Sequence, residues 1–269
     1  MSGPIGGRIL ALLPAAAAVL MLSVLAVPLL ALVLSTSPGD LIDGLRQPLA
    51  LSALRLSLFT TTTSLALTVL LGTPLAWWMA RHDGPAERIA STLVQLPIVV
   101  PPAVSGLALL LAFGRRGLLG PLLDRAGWAL PFTTAAVVLA ELFVSAPFYV
   151  QSAVAAFRLL DEDLLWTARS LGAGPARRFF RVVLPLSLPG VGTGAALSWA
   201  RALGEFGATL MFAGNLQGRT QTLPLAIYSA LETDLRPAKA LSILLVAVAL
   251  AVLLVLGRST MPEAVRARA

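Results

Sequence analysis

Two opposite charges, Arg201 and Glu205, stand four residues apart inside an otherwise apolar stretch of this 269-residue chain. Charges at membrane depth face a cavity or pair with one another, and the i,i+4 spacing lets this pair close on one helix. Two roles are open to them: shaping a polar route near its gate, or forming a purely structural ion pair. Glu141 is a weaker case of the same kind and can simply hydrogen-bond a neighbouring helix. Arg115 and Arg116, adjacent between two apolar stretches, can attract an anion or an acidic partner, or be plain surface charge. Other chemistries fall away. The chain has no cysteine, so disulfides, thiolate metal sites and thiol nucleophiles are excluded. Its single histidine, His82, sits in a short polar loop beside Arg81 and Asp83, which excludes a histidine-cluster metal site. The only lysine, Lys239, follows Ala238, whereas a phosphate-cradling loop requires Gly-Lys-Ser/Thr. Any nucleotide that drives this protein is bound by another subunit.

The elements that position these residues are apolar and long. Hydrophobic residues make up 57% of the chain and charged residues only 12%, with a mean hydropathy of +0.86; a soluble domain carries roughly 25% charged residues. Six apolar segments cover residues 9–34, 54–80, 89–113, 132–157, 186–212 and 240–256, each close to the roughly 20 residues a spanning helix needs. The first is too long for a secretory signal and is expected to be a retained helix. Arginine placement puts both termini and the loop between the fourth and fifth segments in the cytoplasm. The net charge of +7 then reflects arginine facing anionic lipid rather than nucleic acid.

Several positions inside these segments would be faults in water. Pro97, Pro101 and Pro102 interrupt the third segment and Pro189 lies near the start of the fifth; such breaks occur where neighbouring helices or a water-lined cavity satisfy the freed backbone. Thr60 to Thr63 and Ser64 are expected to hydrogen-bond a neighbouring helix or their own carbonyls rather than line a route. Gly190 and Gly194, four apart, are expected to allow close helix packing.

Residues 161–189 (DEDLLWTARSLGAGPARRFFRVVLPLSLP) read as a short helix, a glycine break and a second helix. Asp161 suits an N-cap, with Glu162 and Asp163 where the helix dipole favours acids. Arg169 falls in the last turn, and Gly172 suits a left-handed helix-ending residue. Pro175 opens the second helix, with Phe179, Val182 and Val183 expected to face the membrane and Arg177, Arg178 and Arg181 water or lipid phosphate. A structured, amphipathic cytoplasmic hairpin is a natural docking element; a merely interfacial hairpin is the alternative.

This hairpin resembles the signature of ATP-binding-cassette importer permeases: Glu-Ala-Ala, three residues, Gly, nine residues, an aliphatic residue, any residue, Leu-Pro. The frame falls on Trp166, Thr167, Ala168, Gly172, Val182, Leu184 and Pro185, with Arg169, Leu171 and Ala173 in keeping with its surroundings. Trp166 and Thr167 depart from it, which removes any contact that needs a carboxylate at 166. Residues 201–209 (RALGEFGAT), 211–215 (MFAGN) and 218–228 (GRTQTLPLAIY) look like molybdate permeases, as do the Leu96-Pro97 to Pro101-Pro102 stretch and residues 114–117 (GRRG). Sulfate permeases share the Gly-Glu-Phe/Tyr-Gly core but differ more downstream.

The resemblance implies an all-α integral membrane protein with the transmembrane domain of a type I ABC importer: six helices, cytoplasmic termini, and a single domain over residues 1–269. The first helix (9–34) would be an addition to a core of 50–257, and 158–185 would form the coupling loop. Leu164, Leu165, Trp166, Ala168, Arg169, Leu171, Gly172, Ala173, Leu184 and Pro185 would then contact an ATP-hydrolysing subunit. Arg201, Gly204, Glu205, Phe206, Gly207, Thr209, Pro101 and Pro102 would form the pathway or its gate. Implied partners are two copies of that ATPase, which binds ATP and magnesium, an extracytoplasmic oxyanion-binding protein that Arg115 and Arg116 could meet, a second copy of the permease, and lipid. This chain itself would need no cofactor. An ion-gradient-driven transporter is the reading from another class, disfavoured by the hairpin; a pathway-free scaffold or sensor is disfavoured by the broken spans and paired charges.

Overall fold

The computed structural model describes the backbone of residues 4–260 and the side chains of residues 13–254. Every described element is helical: α1 Pro4–Leu34, α2 Pro38–Arg46, α3 Pro48–Arg81, α4 Pro85–Val99, α5 Pro102–Phe113, α6 Gly120–Arg125, α7 Thr134–Arg158, α8 Glu162–Ser170, α9 Pro175–Arg178, a π-helical turn Phe179–Val183, α10 Leu184–Leu203, α11 Gly207–Ala213, α12 Leu223–Leu231 and α13 Leu235–Thr260. Five helical stretches are long and apolar enough to cross a membrane, and the pair α4–α5 makes a sixth if taken as one broken span. This matches the six expected segments, and the boundaries show where residue chemistry redirected them.

Proline and local capping start most helices. Pro38, Pro48, Pro85, Pro102 and Pro175 each occupy the first helical position, where the missing N–H costs no helical bond. Ser37 and Thr133 cap α2 and α7 by accepting from the N–H groups of Asp40 and Ala136. Because Pro48 nucleates earlier than the apolar run, α3 begins six residues before the expected segment.

The third segment is not one straight span: α4 and α5 meet at an angle of 119°, since Pro101 and Pro102 remove consecutive donors and hold the backbone between them extended. The fifth segment likewise stops at Leu203. Residues 204–206 are non-helical and α11 is a separate seven-residue helix. The stretch after it, expected to be an outer loop, contains α12, whose Leu223, Leu225 and Ala226 are fully buried.

The bundle centres on α7, packed along α3 on one side and α10 on the other. The expected role of the glycines in the fifth segment holds here: a Cβ on Gly190 would lie 2.6 Å from the Ala156 Cβ, and one on Gly194 2.6 Å from the Ser152 Cβ. Three apolar cores result. One joins α3, α7 and α10 around Tyr149 and Phe157. A second joins α5, α7 and α11 around Val137 and Phe212, and a third joins α3, α12 and α13 around Leu223 and Leu241. Helix α1 stays outside: its described side chains are almost all exposed, and its contact is a small one with α13.

Candidate functional site

The hairpin forms as the sequence predicts at its caps. The Asp161 side chain accepts from the Asp163 N–H at 2.9 Å, and Gly172 takes φ +77°, the left-handed conformation that ends α8. Its continuation differs. Instead of a separate second helix followed by a proline-marked entry, Pro175 to Leu203 runs without interruption through the π turn, and Pro185 and Pro189 ride within it. A π turn adds a residue to the turn and rotates the remainder of the helix about its axis. Phe179, which opens that turn, packs inward against Trp77 and Phe157, with ring centroids 5.7 and 6.1 Å apart, and Val183, which closes it, is buried. Phe180, not Phe179, is the exposed ring.

Helix α8 is anchored to the end of α3 by one ion pair, Arg81 Nη1 to Glu162 Oε1 at 3.1 Å. Arg158, at the end of α7, pairs with Glu87 of α4 at 3.0 Å and donates to the Met79 carbonyl. Leu164, Trp166, Arg169 and Leu171 are exposed on the hairpin, whereas Leu165, Ala168 and Ala173 are half-buried. Of the residues of the hairpin seat, Trp77 and Arg81 carried no assigned role in the sequence, and Phe179 was expected to face the membrane, whereas it packs on Trp77 and Phe157. The available signal was the Trp-Trp-Met-Ala-Arg end of α3, an aromatic and basic terminus typical of a membrane boundary.

The second group lies where α10, α11 and α5 meet. Arg201 Nη2 and Glu205 Oε2 are 2.7 Å apart, and the Glu205 side chain is 1% exposed against 28% for Arg201. The other oxygen, Oε1, accepts from the Ala208 N–H at 2.8 Å. Glu205 thus holds the end of α10 and the start of α11 together across the break. That second contact was not foreseen; its signal was an acid just ahead of a short helix. The expected gate residues converge: a Cβ on Gly207 would lie 2.9 Å from the Pro102 Cβ, and one on Gly106 would lie 2.7 Å from the Ala208 carbonyl oxygen. Only glycine at both positions allows α5 and α11 this approach. Thr209 is buried on α11, while Pro101, Pro102 and Gly204 are exposed. The Phe206 ring lies 5.2 Å from that of Tyr228 on α12.

Glu141 behaves as the milder expectation had it, accepting from the Thr60 hydroxyl of α3 at 2.8 Å. Thr61 and Thr63 bond the Ser57 and Phe59 carbonyls of their own helix. The polar residues after α11 form a knot unassigned by sequence: Asn215 and Gln221 both donate to Ser229 Oγ, at 2.8 and 3.3 Å. His82 is an exposed residue ending α3, its ring on Trp78. Arg115 and Arg116 are exposed on the turn after α5, away from the hairpin and the break. Among the described residues no His, Cys, Asp and Glu side chains gather in a group able to hold a metal.

A helical membrane bundle with a capped hairpin and two broken spans folded against each other is the architecture of ABC-importer transmembrane domains. The fold agrees with a chain of a bacterial ABC transporter importing the acidic polysaccharide alginate (TM-score 0.72, 16% identity, 94% of this chain and 95% of that one). It also agrees with the MetNI methionine ABC transporter (TM-score 0.62, 18% identity, 79% and 94%). The chain belongs to the family of binding-protein-dependent transport system inner membrane components, whose model matches residues 72–261. It is therefore a multi-pass membrane subunit of a transport system and not an enzyme. Among its relatives, the molybdenum transport system permease protein ModB of Mycobacterium bovis is 48% identical over 87% of this chain and 89% of its own length. The protein of the same name from Escherichia coli K12 is 36% identical over 81% and 95%.

Proposed function

We propose that this chain is the membrane-spanning permease of an ATP-driven importer that carries molybdate, or the nearly equal-sized tungstate, into the cell by alternating access. The observation that carries this reading is the 48% identity to a molybdenum permease across nearly the full length of both chains. The break at residues 204–206, strapped by Glu205 and seated on Pro102, supplies the physical side of it. A dianion cannot cross hydrocarbon without a polar route, because desolvating an isolated charge is prohibitively costly.

Two copies of the chain would enclose the route, with an extracytoplasmic binding protein on the outer face, where Arg115 and Arg116 lie. The hairpin of α8 and α9 would dock in the ATPase, which holds the ATP and magnesium. Both termini and the hairpin would lie in the cytoplasm in this arrangement, as the arginine distribution favours; Arg8, Arg258, Arg266 and Arg268, which contribute to that distribution, lie outside the described side chains. ATP-driven closure of the two ATPases and docking of the loaded binding protein would bias one two-state element from opposite sides. Arg201 and Glu205 would act at the gate, where the internal ion pair leaves little net charge to trap the substrate.

The decisive experiment is uptake into proteoliposomes containing the permease, its ATPase and its binding protein. ATP-dependent accumulation of labelled molybdate, undiminished by a large excess of sulfate, is the expected result; accumulation of sulfate with no molybdate uptake would sink the molybdate reading, and uptake without ATP the importer reading. In the same vesicles Glu205→Gln, assembled normally, is expected to slow uptake about tenfold, the effect of roughly one charge-assisted hydrogen bond.

A further inference from the structure

We infer that the cleft between α8 and the end of α3 is a binding site for a tetrahedral oxyanion, distinct from the route through the bundle. The cleft has a volume of about 250 Å³, and Trp77, Arg81, Glu162, Trp166, Arg169 and Arg178 form its functional walls. Three guanidinium groups therefore face one carboxylate, and that carboxylate is 74% exposed in its side chain. The local excess of two positive charges equals the charge of a dianion such as phosphate, sulfate or molybdate.

The arginines are also held in place and under-used. The Arg81 guanidinium lies 4.6 Å from the centroid of the Trp77 ring and the Arg169 guanidinium 5.5 Å from that of Trp166, contacts that fix the forks without consuming their in-plane donors. Nε and Nη2 of Arg81 and Nε of Arg178 are buried and meet no acceptor among the described groups of the chain. Buried donors of this kind are costly unless something accepts from them. Guanidinium groups arriving from three elements suit a tetrahedral oxyanion better than a planar carboxylate, which takes one fork in a bidentate pair.

Trp166 keeps the excess charge of the cleft at two. It stands where the importer signature has glutamate, and a glutamate there would add a second carboxylate and halve the excess charge. An anion taken by Nε and Nη2 of Arg81 leaves Nη1 on Glu162, so the 3.1 Å ion pair joining α8 to α3 can persist beside it. Held by Arg81 of α3, Arg169 of α8 and Arg178 of α9, the bound anion bridges the hairpin to the bundle, which makes the cleft a control point. The same chemistry has two sources, the phosphate of an anionic lipid at the membrane surface or a free oxyanion in the cytoplasm. Neither depends on which ion crosses the bundle.

The test uses the full-length chain in nanodiscs of phosphatidylcholine. Calorimetric titration with sodium molybdate, sulfate and inorganic phosphate reads the free-ion source, and native mass spectrometry after doping with phosphatidic acid reads the lipid source. Saturable binding in either arm, weakened about tenfold by Arg169→Gln and by Trp166→Glu, is the expected result, the loss being that of one charge-assisted contact. Both positions are exposed, so neither variant threatens the fold; Arg81→Gln is expected to act more strongly but also to unseat α8. Binding that is absent in both arms, or unchanged in both exposed variants, would overturn the proposal.

Discussion

Glu205 spends both of its oxygens inside the chain, one on Arg201 and one on the Ala208 N–H, so its two nearest substitutions have different consequences. Glu205→Gln keeps an amide oxygen for the Ala208 N–H and gives up only the ion pair. Glu205→Ala leaves both partners without an acceptor, and breaking a buried pair from one side costs about 3–5 kcal/mol. The expected order of thermal stability in detergent is wild type, then Gln, then Ala well below. Equal melting temperatures for Gln and Ala would mean that the cap on α11 contributes nothing. The ion pair was legible in the sequence because i,i+4 geometry belongs to one helix. The cap was not, because it appears only once the helix ends at Leu203, and no proline marks that end.

At the scale of elements, α5 and α11 form one unit because Gly106 of α5 leaves room for Met211 and the Ala208 backbone, and Gly207 of α11 leaves room for Pro102. A Cβ at Gly106 would meet the Met211 Cβ at 2.6 Å and the Ala208 carbonyl oxygen at 2.7 Å, and backbone cannot step aside as a flexible side chain can. Gly106→Ala is therefore expected to cost about 1–3 kcal/mol and to abolish uptake while the hairpin still forms. Gly39→Ala in α2, where the nearest atom would be 3.8 Å away, is the harmless comparison. Uptake retained by Gly106→Ala would show that the close crossing is dispensable. The hairpin caps were readable because Asp161, Gly172 and Pro175 act on backbone within a few residues of themselves. The third segment was readable as interrupted at Pro101 and Pro102, but the size of the bend, 119°, was not, since proline fixes where a helix breaks and not how far its two parts turn. The direction of Phe179 differs from the expectation because its ring partners, Trp77 on α3 and Phe157 on α7, come from distant parts of the chain. Helix α12, at nine residues, is too short to register as a span.

For the whole molecule, the bundle closes without its first helix. The described part of α1 is unburied, and its main contact with the rest is a small one with α13. A chain lacking residues 1–34 is expected to retain its melting temperature to within a few degrees and to keep its three cores, even though its new N-terminus starts on the opposite side of the membrane. Loss of folded material in that variant would assign α1 a structural role that its contacts do not suggest.

The unbroken run from Pro175 to Leu203 has a mechanical consequence. Twenty-nine residues of helix make a shaft about 43 Å long at 1.5 Å per residue, with the hairpin at one end and Arg201 two residues from the other. Its π turn and prolines lie in the half nearer the hairpin, and residues 190–203 beyond them carry neither. Displacement of α8 by a few ångströms is expected to swing the far tip, with the strap at Glu205 carrying α11 along.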